Sequence, residues 1–222
     1  MIFIFNKVLI INDLRFKNIN FKNMKKKIFM LFFSTIWLNS FAQNYAEEII
    51  KHREEYKADF LKYGNSPLKK EDLEFLKFYE PNEKFKVECT FKPIKGGEPF
   101  KMPTSSGKLK DYLKFGELHF KIDEKNYKLA VYKSLGLVVS TYEDYLFVPF
   151  KDLTNGKETY GGGRYNDLLK TDIKKGKIWL DFNKSYNPYC AFSTGYSCPI
   201  PPKENHLNLE ILAGEMNFGK EH

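Results

Sequence analysis

Three stretches of strict two-residue alternation constrain this chain more than any other feature. Phe85, Val87, Cys89 and Phe91 alternate with Lys84, Lys86, Glu88, Thr90 and Lys92. Leu118, Phe120 and Ile122 alternate with Glu117, His119 and Lys121, and Tyr127, Leu129 and Val131 resume the pattern after Asp123-Glu124-Lys125-Asn126. Successive side chains of a strand point to opposite faces, so this period requires strands with one buried and one solvated face. Such strands belong to antiparallel sheets, and the four polar residues between the last two read as a hairpin turn. Further strands are expected at 109–115, 145–150, 177–182 and 207–212. The fold class is therefore mainly β (α+β): an antiparallel barrel or sandwich-like sheet.

One or two helices precede this sheet. Tyr45, Ile49, Tyr56 and Phe60 recur at helical spacing, with Glu47, Glu48, Arg53, Glu54, Glu55 and Lys57 on the other face, and Gly64 supplies a stop. Ser66-Pro67 fits a cap followed by proline at the first helical position, which predicts a second short helix over 67–76.

The charge balance is uneven along the chain. The 36 Lys+Arg outnumber 28 Asp+Glu, a net charge of +8, which alone suggests nucleic acid or an anionic membrane as partner. Met24-Lys25-Lys26-Lys27, however, is followed by the apolar run Ile28–Leu38 and by Asn39-Ser40-Phe41-Ala42, with small residues three and one positions before Gln43. This is the layout of a secretory signal peptide over residues 24–42, and an apolar run of eleven residues is too short for the roughly 20 of a spanning helix. Residues 1–23 read as an upstream extension, because a signal begins at the methionine that carries the lysines. Residues 1–42 hold seven of the basic residues and one acidic residue, leaving 29 against 27, a net charge of +2, in residues 43–222. A near-neutral domain has no field to gather phosphates, so nucleic acid is not an expected partner. The reading is an exported, periplasmic or secreted protein, with 43–222 as one globular domain and no transmembrane anchor after signal cleavage. At 17% aromatic and 42% hydrophobic, it has the means to bury a core.

Residues 150–215 are unusually rich in glycine, proline and polar groups for connecting loops. They contain Thr159-Tyr-Gly-Gly-Gly-Arg-Tyr165, Leu180-Asp-Phe-Asn183 and Tyr186-Asn-Pro-Tyr-Cys190, then Cys198-Pro-Ile-Pro-Pro202, Glu204-Asn205 and Ala213-Gly-Glu215. In this order the motifs resemble the domain-of-unknown-function family numbered sixteen-eighty-four, found in bacteria and archaea. The resemblance runs from the first helix and Asn65-Ser-Pro-Leu68 to Glu215. It implies a domain assignment and leaves the activity open.

The residues themselves offer several sites. Cys190 and Cys198, eight apart in a loop, fit a disulfide in an exported protein; a metal site with Glu204 and His206, or separate thiols, are the alternatives. Cys89, on the apolar side of its strand, reads as a buried free thiol. Gly161-Gly162-Gly163-Arg164 lacks the Gly-Lys-Ser/Thr of a nucleotide loop, so Arg164 is either a fork for an anionic ligand or an internal salt bridge to Asp152, Asp181 or Glu215. Asp181 and Asn183 share a strand face, and with Glu204 they suggest an acid–base pair or a hard-cation site. No cofactor is required, although a divalent metal is compatible. The leading expectation is a pocket of C-terminal loops, with Arg164, Asn183, Asn187 and Asn205 binding a small polar or anionic ligand. A hydrolase using Asp181/Glu204 or Cys190, and an envelope interaction module, are the other two.

Overall fold

The computed structural model describes residues 44–62, 64–136 and 143–220. The targeting segment read at 24–42 and the extension before it lie outside the described residues. Helix α1 (44–59) buries Tyr45 and Ile49, with Phe60 just beyond it, as the helical period requires. The second expected helix is instead a short 3₁₀ segment, Lys70–Phe75. The Ser66 hydroxyl accepts from the Leu68 N–H at 3.2 Å, a local turn that competes with helix initiation at Pro67.

Seven strands form among the described residues: β1 (Lys86–Pro93), β2 (Pro99–Pro103), β3 (Leu109–Ile122), β4 (Lys125–Ser134), β5 (Tyr145–Phe150), β6 (Arg164–Leu169) and β7 (Lys177–Asp181). They make one antiparallel sheet in the order β6-β5-β4-β3-β1-β7, with β2 paired to β3, curled into a half-barrel. The alternating stretches are β1, β3 and β4. The strands expected at 109–115 and 118–122 are one long strand, its register slipping between Lys114 and Gly116. Ile122 pairs with Lys125, and Asp123 and Glu124 both take positive φ, 49° and 58°, as a two-residue hairpin turn requires.

Residues 207–212 form no strand. They cross the core as an extended segment, burying Leu207, Ile211 and Ala213 against Leu118, Leu129 and Phe182. Among the described residues the ladder between β4 and β5 pairs Tyr132 with Phe147. Pro149 has no N–H to offer a ladder, and the side-chain amide of Asn205 takes the place of a strand partner. Its Oδ1 accepts from Ala130 N (2.7 Å), while Nδ2 donates to Ala130 O (2.9 Å) and Pro149 O (2.7 Å). Cys89 is fully buried and unpaired, and burial pushes its thiol up to about 12.

Candidate functional site

The glycine-rich turn serves packing. Gly163 has φ +96°, and a Cβ there would come within 2.7 Å of both Phe150 O and the Pro201 ring. This close approach turns Arg164 inward, where it is fully buried. Its Nη2 donates to Asp152 Oδ2 (2.8 Å) and Ile211 O (2.9 Å), and its Nη1 to Ala213 O and to Glu215 O (3.2 Å). Asp152 Oδ2 also accepts from Ile211 N (3.0 Å), and its Oδ1 accepts from Thr154. Of the two readings of Arg164, the internal salt bridge to Asp152 is the one observed, and the guanidinium does the work of a missing strand for the 207–215 segment. A buried ion pair with this many additional hydrogen bonds offsets its desolvation cost.

Other predicted residues are also held by main chain. Asn205 bridges β4 and β5, as described above. Asn187 is fully buried, with N donating to Glu215 Oε2 (2.8 Å) and Nδ2 to Met216 O (2.7 Å). Glu204 lies at the surface, accepting from Lys114 Nζ (2.5 Å) and Tyr132 OH (2.7 Å). Burial alone would raise its carboxyl, but these two donors hold it below the usual range. The Cys190 and Cys198 Cα atoms are 6.3 Å apart, with the sulfurs at bonding distance, within disulfide geometry. Among the described residues no three His, Cys, Asp or Glu side chains are grouped to hold a metal ion.

A recess lies where the half-barrel fails to close. The sheet ends at β6 on one side and β7 on the other, with a tie between them in which Asn166 Nδ2 donates to Asp181 O (3.3 Å) and Ser185 Oγ (2.7 Å) and the main chains of Tyr165 and Tyr186 pair just beyond β7. Beyond that tie the edges leave a cavity of about 660 Å³, roofed by α1. His52, Glu55, Tyr56 and Asp59 face it from the helix, Asp167 and Leu168 from β6, Trp179 and Asp181 from β7, and Asn183, Lys184 and Tyr186 from the turn that follows. Trp179 is 56% exposed, because its strand neighbours Ile178 and Leu180 take the inward positions. Of the predicted residues, then, Asp181 and Asn183 reach this seam, whereas Arg164, Glu204, Asn205 and Cys190 line neither it nor the slot described next, so Asp181 and Glu204 share no cavity.

The seam is electrostatically one-sided. Its cations are already engaged or neutral: Lys184 Nζ binds Glu48 at 2.8 Å, and burial, helped by Lys184, lowers the His52 imidazole. Among the described residues the carboxylates Asp167, Asp172 and Asp181 form no ion pair within 4 Å, although Arg53 and His52 interact with Asp181 at longer range. Asp181 accepts from Tyr45 OH (2.9 and 3.0 Å), and Asp167 from Tyr145 OH (2.7 Å) and Tyr186 OH (2.9 Å). Asp167 opens onto the cleft yet is ringed by protein, and this desolvation raises its carboxyl despite the two phenols. Under the helix, Tyr56 OH donates to Oε2 of fully buried Glu215 (3.0 Å), whose Oε1 has no partner among the described residues. Desolvation pushes Glu215 up to about 8.

A second cavity of about 320 Å³, the slot, adjoins the seam. Tyr112, Tyr145, Phe147, Tyr165 and Tyr196 line it together with Asn187, Cys198 and Pro199, and Tyr186 and Tyr189 line both cavities. Sequence reasoning passed over Tyr56, Asp167, Trp179 and Tyr186. Only Trp179 left a signal, an aromatic residue at an outward position of an alternating strand.

Comparison with known proteins follows the same lines. The family described as "Protein of unknown function (DUF1684)" matches residues 71–216. No curated protein matches the chain. A solution NMR structure of an uncharacterized protein from Haloarcula marismortui is similar to it at 31% identity and a TM-score of 0.62, over 80% of this chain and 97% of that one.

Proposed function

This chain belongs to the DUF1684 family, described as being of unknown function, and on that footing we propose that it is a binding domain for a small polar ligand carried in the seam between β6 and β7. The observation that carries the reading is a cavity of about 660 Å³ between the edges of β6 and β7, walled by aromatic rings and by carboxylates that form no ion pair among the described residues. Ligand sites are concave, partly aromatic and provided with a few converging polar groups, and this recess has all three properties. The charge of Asp167 and Asp172, which form no ion pair among the described residues, favours a neutral hydroxylated or cationic ligand over an anionic one, and Arg164, the cation considered for an anion, is engaged elsewhere. The exposed Trp179 ring offers a face on which such a ligand stacks. The signal-like segment at 24–42 and the Cys190–Cys198 pair at disulfide distance support an exported setting for this binding.

The test is native mass spectrometry of the protein purified from its own host. A small-molecule adduct is expected on the wild type and should be absent from a variant carrying Trp179→Ala and Asp167→Asn. An adduct retained undiminished by that variant would place the ligand elsewhere and overturn the reading.

A further inference from the structure

The seam and the aromatic slot share a wall, and their shared residues join the two chemistries. Tyr186 and Tyr189 line both cavities, Asp167 lines the seam, and Tyr145 lines the slot. Tyr145 OH and Tyr186 OH both donate to Asp167, so the carboxylate stands at the junction with two phenols behind it. No Lys, Arg or His among the described residues forms an ion pair with it. Neutral phenols satisfy lone pairs of the carboxylate but leave its charge without an ion pair at an exposed position on the cleft wall, open to a charge-assisted partner. On the far side of Tyr186 the slot is walled by rings, with Phe147 and Tyr165 edge-to-face at 4.7 Å and Tyr189 and Tyr196 at 5.2 Å. At about 320 Å³ it exceeds the roughly 150 Å³ of a cavity known to admit benzene, so one planar ring fits within it.

Resting on the binding role argued above, the geometry points to a single bipartite site for an arylalkylamine. The ammonium sits in the seam on Asp167, and the ring, one short linker away, lies in the slot against Tyr186 and Tyr189. The ammonium donates to the carboxylate and no covalent step is involved. A neutral aromatic alcohol would fill the slot but leave Asp167 uncompensated. A simple alkylamine would compensate Asp167 but leave the slot unfilled.

The probes that separate these terms are phenethylamine, its uncharged counterpart 2-phenylethanol and the ringless n-butylamine. Each is titrated into the purified protein while the Trp179 indole and Tyr196 ring resonances are followed by NMR. Phenethylamine is expected to move both resonances with one midpoint and to bind about tenfold or more tightly than either counterpart. Asp167→Asn, which keeps an oxygen to accept from the tyrosines, should abolish that margin over 2-phenylethanol. Equal affinities for phenethylamine and 2-phenylethanol, or separate midpoints for the two resonances, overturn the joined amine site; the seam still stands as a ligand site where Trp179 moves saturably. A Trp179 resonance unmoved by all three probes overturns the inference, and if the host-purified protein also carries no ligand that Trp179→Ala removes, the reading beneath it falls as well.

Discussion

Glu215 couples the fold to pH across the neutral range through its ionisation. It is fully buried, Oε2 accepts from Tyr56 OH and Asn187 N, and Oε1 has no donor. Desolvation moves its pKa from 4.5 to about 8, the nearby Arg164 notwithstanding. A carboxyl whose folded pKa lies above its unfolded one binds more protons in the folded state, so stability is fully present below pH 4.5 and is lost as pH rises towards 8. The gap of about 3.5 units corresponds to at most about 5 kcal/mol, or roughly 10–20 °C in Tm for a domain of this size. Glu215→Gln removes the titration, keeps an acceptor for Tyr56 and Asn187, and puts a donor where Oε1 has none. Thermal unfolding between pH 4.5 and 9 is the assay. Wild-type stability should fall relative to the Gln variant over that range, with the two curves converging near pH 4.5. His52, which burial lowers, contributes with the opposite sign through pH 6.5, so the informative quantity is the difference between the two proteins. A difference that stays constant with pH would refute the argument.

Three further outcomes follow from the packing. Asn205→Ala leaves three main-chain groups on Ala130 and Pro149 unpaired in the core; at about 1–3 kcal/mol for each group, urea denaturation should register a loss of about 3–9 kcal/mol, and a loss under about 1 would refute the bridging role. Asp152→Ala strands the Arg164 charge in the core, with an expected loss of about 3–5 kcal/mol, part of which the joint change Arg164→Met with Asp152→Leu should recover. Thiol titration of unfolded, unreduced protein should find one reactive group per chain, Cys89; three would exclude the Cys190–Cys198 bond.

Local periodicity made much of the fold legible. The alternation around Val87, Leu118 and Leu129 placed β1, β3 and β4, because burial on one face is written into neighbouring residues. The 207–212 segment was misread as a strand, since an apolar run looks the same whether a ladder or an arginine satisfies its carbonyls. The site was less legible. Arg164, Asn187 and Asn205 stood out as polar groups in glycine- and proline-rich loops, yet sequence does not distinguish an amide that binds main chain from one that faces a ligand. Asp181 and Asn183 do line the seam, but not from one strand face as their spacing suggests: Asp181 ends β7 and Asn183 lies in the 3₁₀ turn after it. The rest of the seam depends on β6 and β7 approaching from opposite ends of the sheet under α1, a juxtaposition that no local pattern encodes.

The guanidinium of Arg164 also imposes an order on assembly. A chain growing from its N-terminus has all seven strands once Asp181 has emerged, and a half-barrel could then begin to curl. At that stage Arg164 and Asp152 have each other, but the acceptors at Ile211, Ala213 and Glu215 do not yet exist. Sealing a partly satisfied ion pair into an apolar core is costly, so closure of the sheet over Arg164 is favoured only with those residues in place. The segment from Ile211 to Glu215 thus acts as a latch, and a chain cut short before Ile211 would keep the seven described strands but lack the carbonyls that satisfy Arg164.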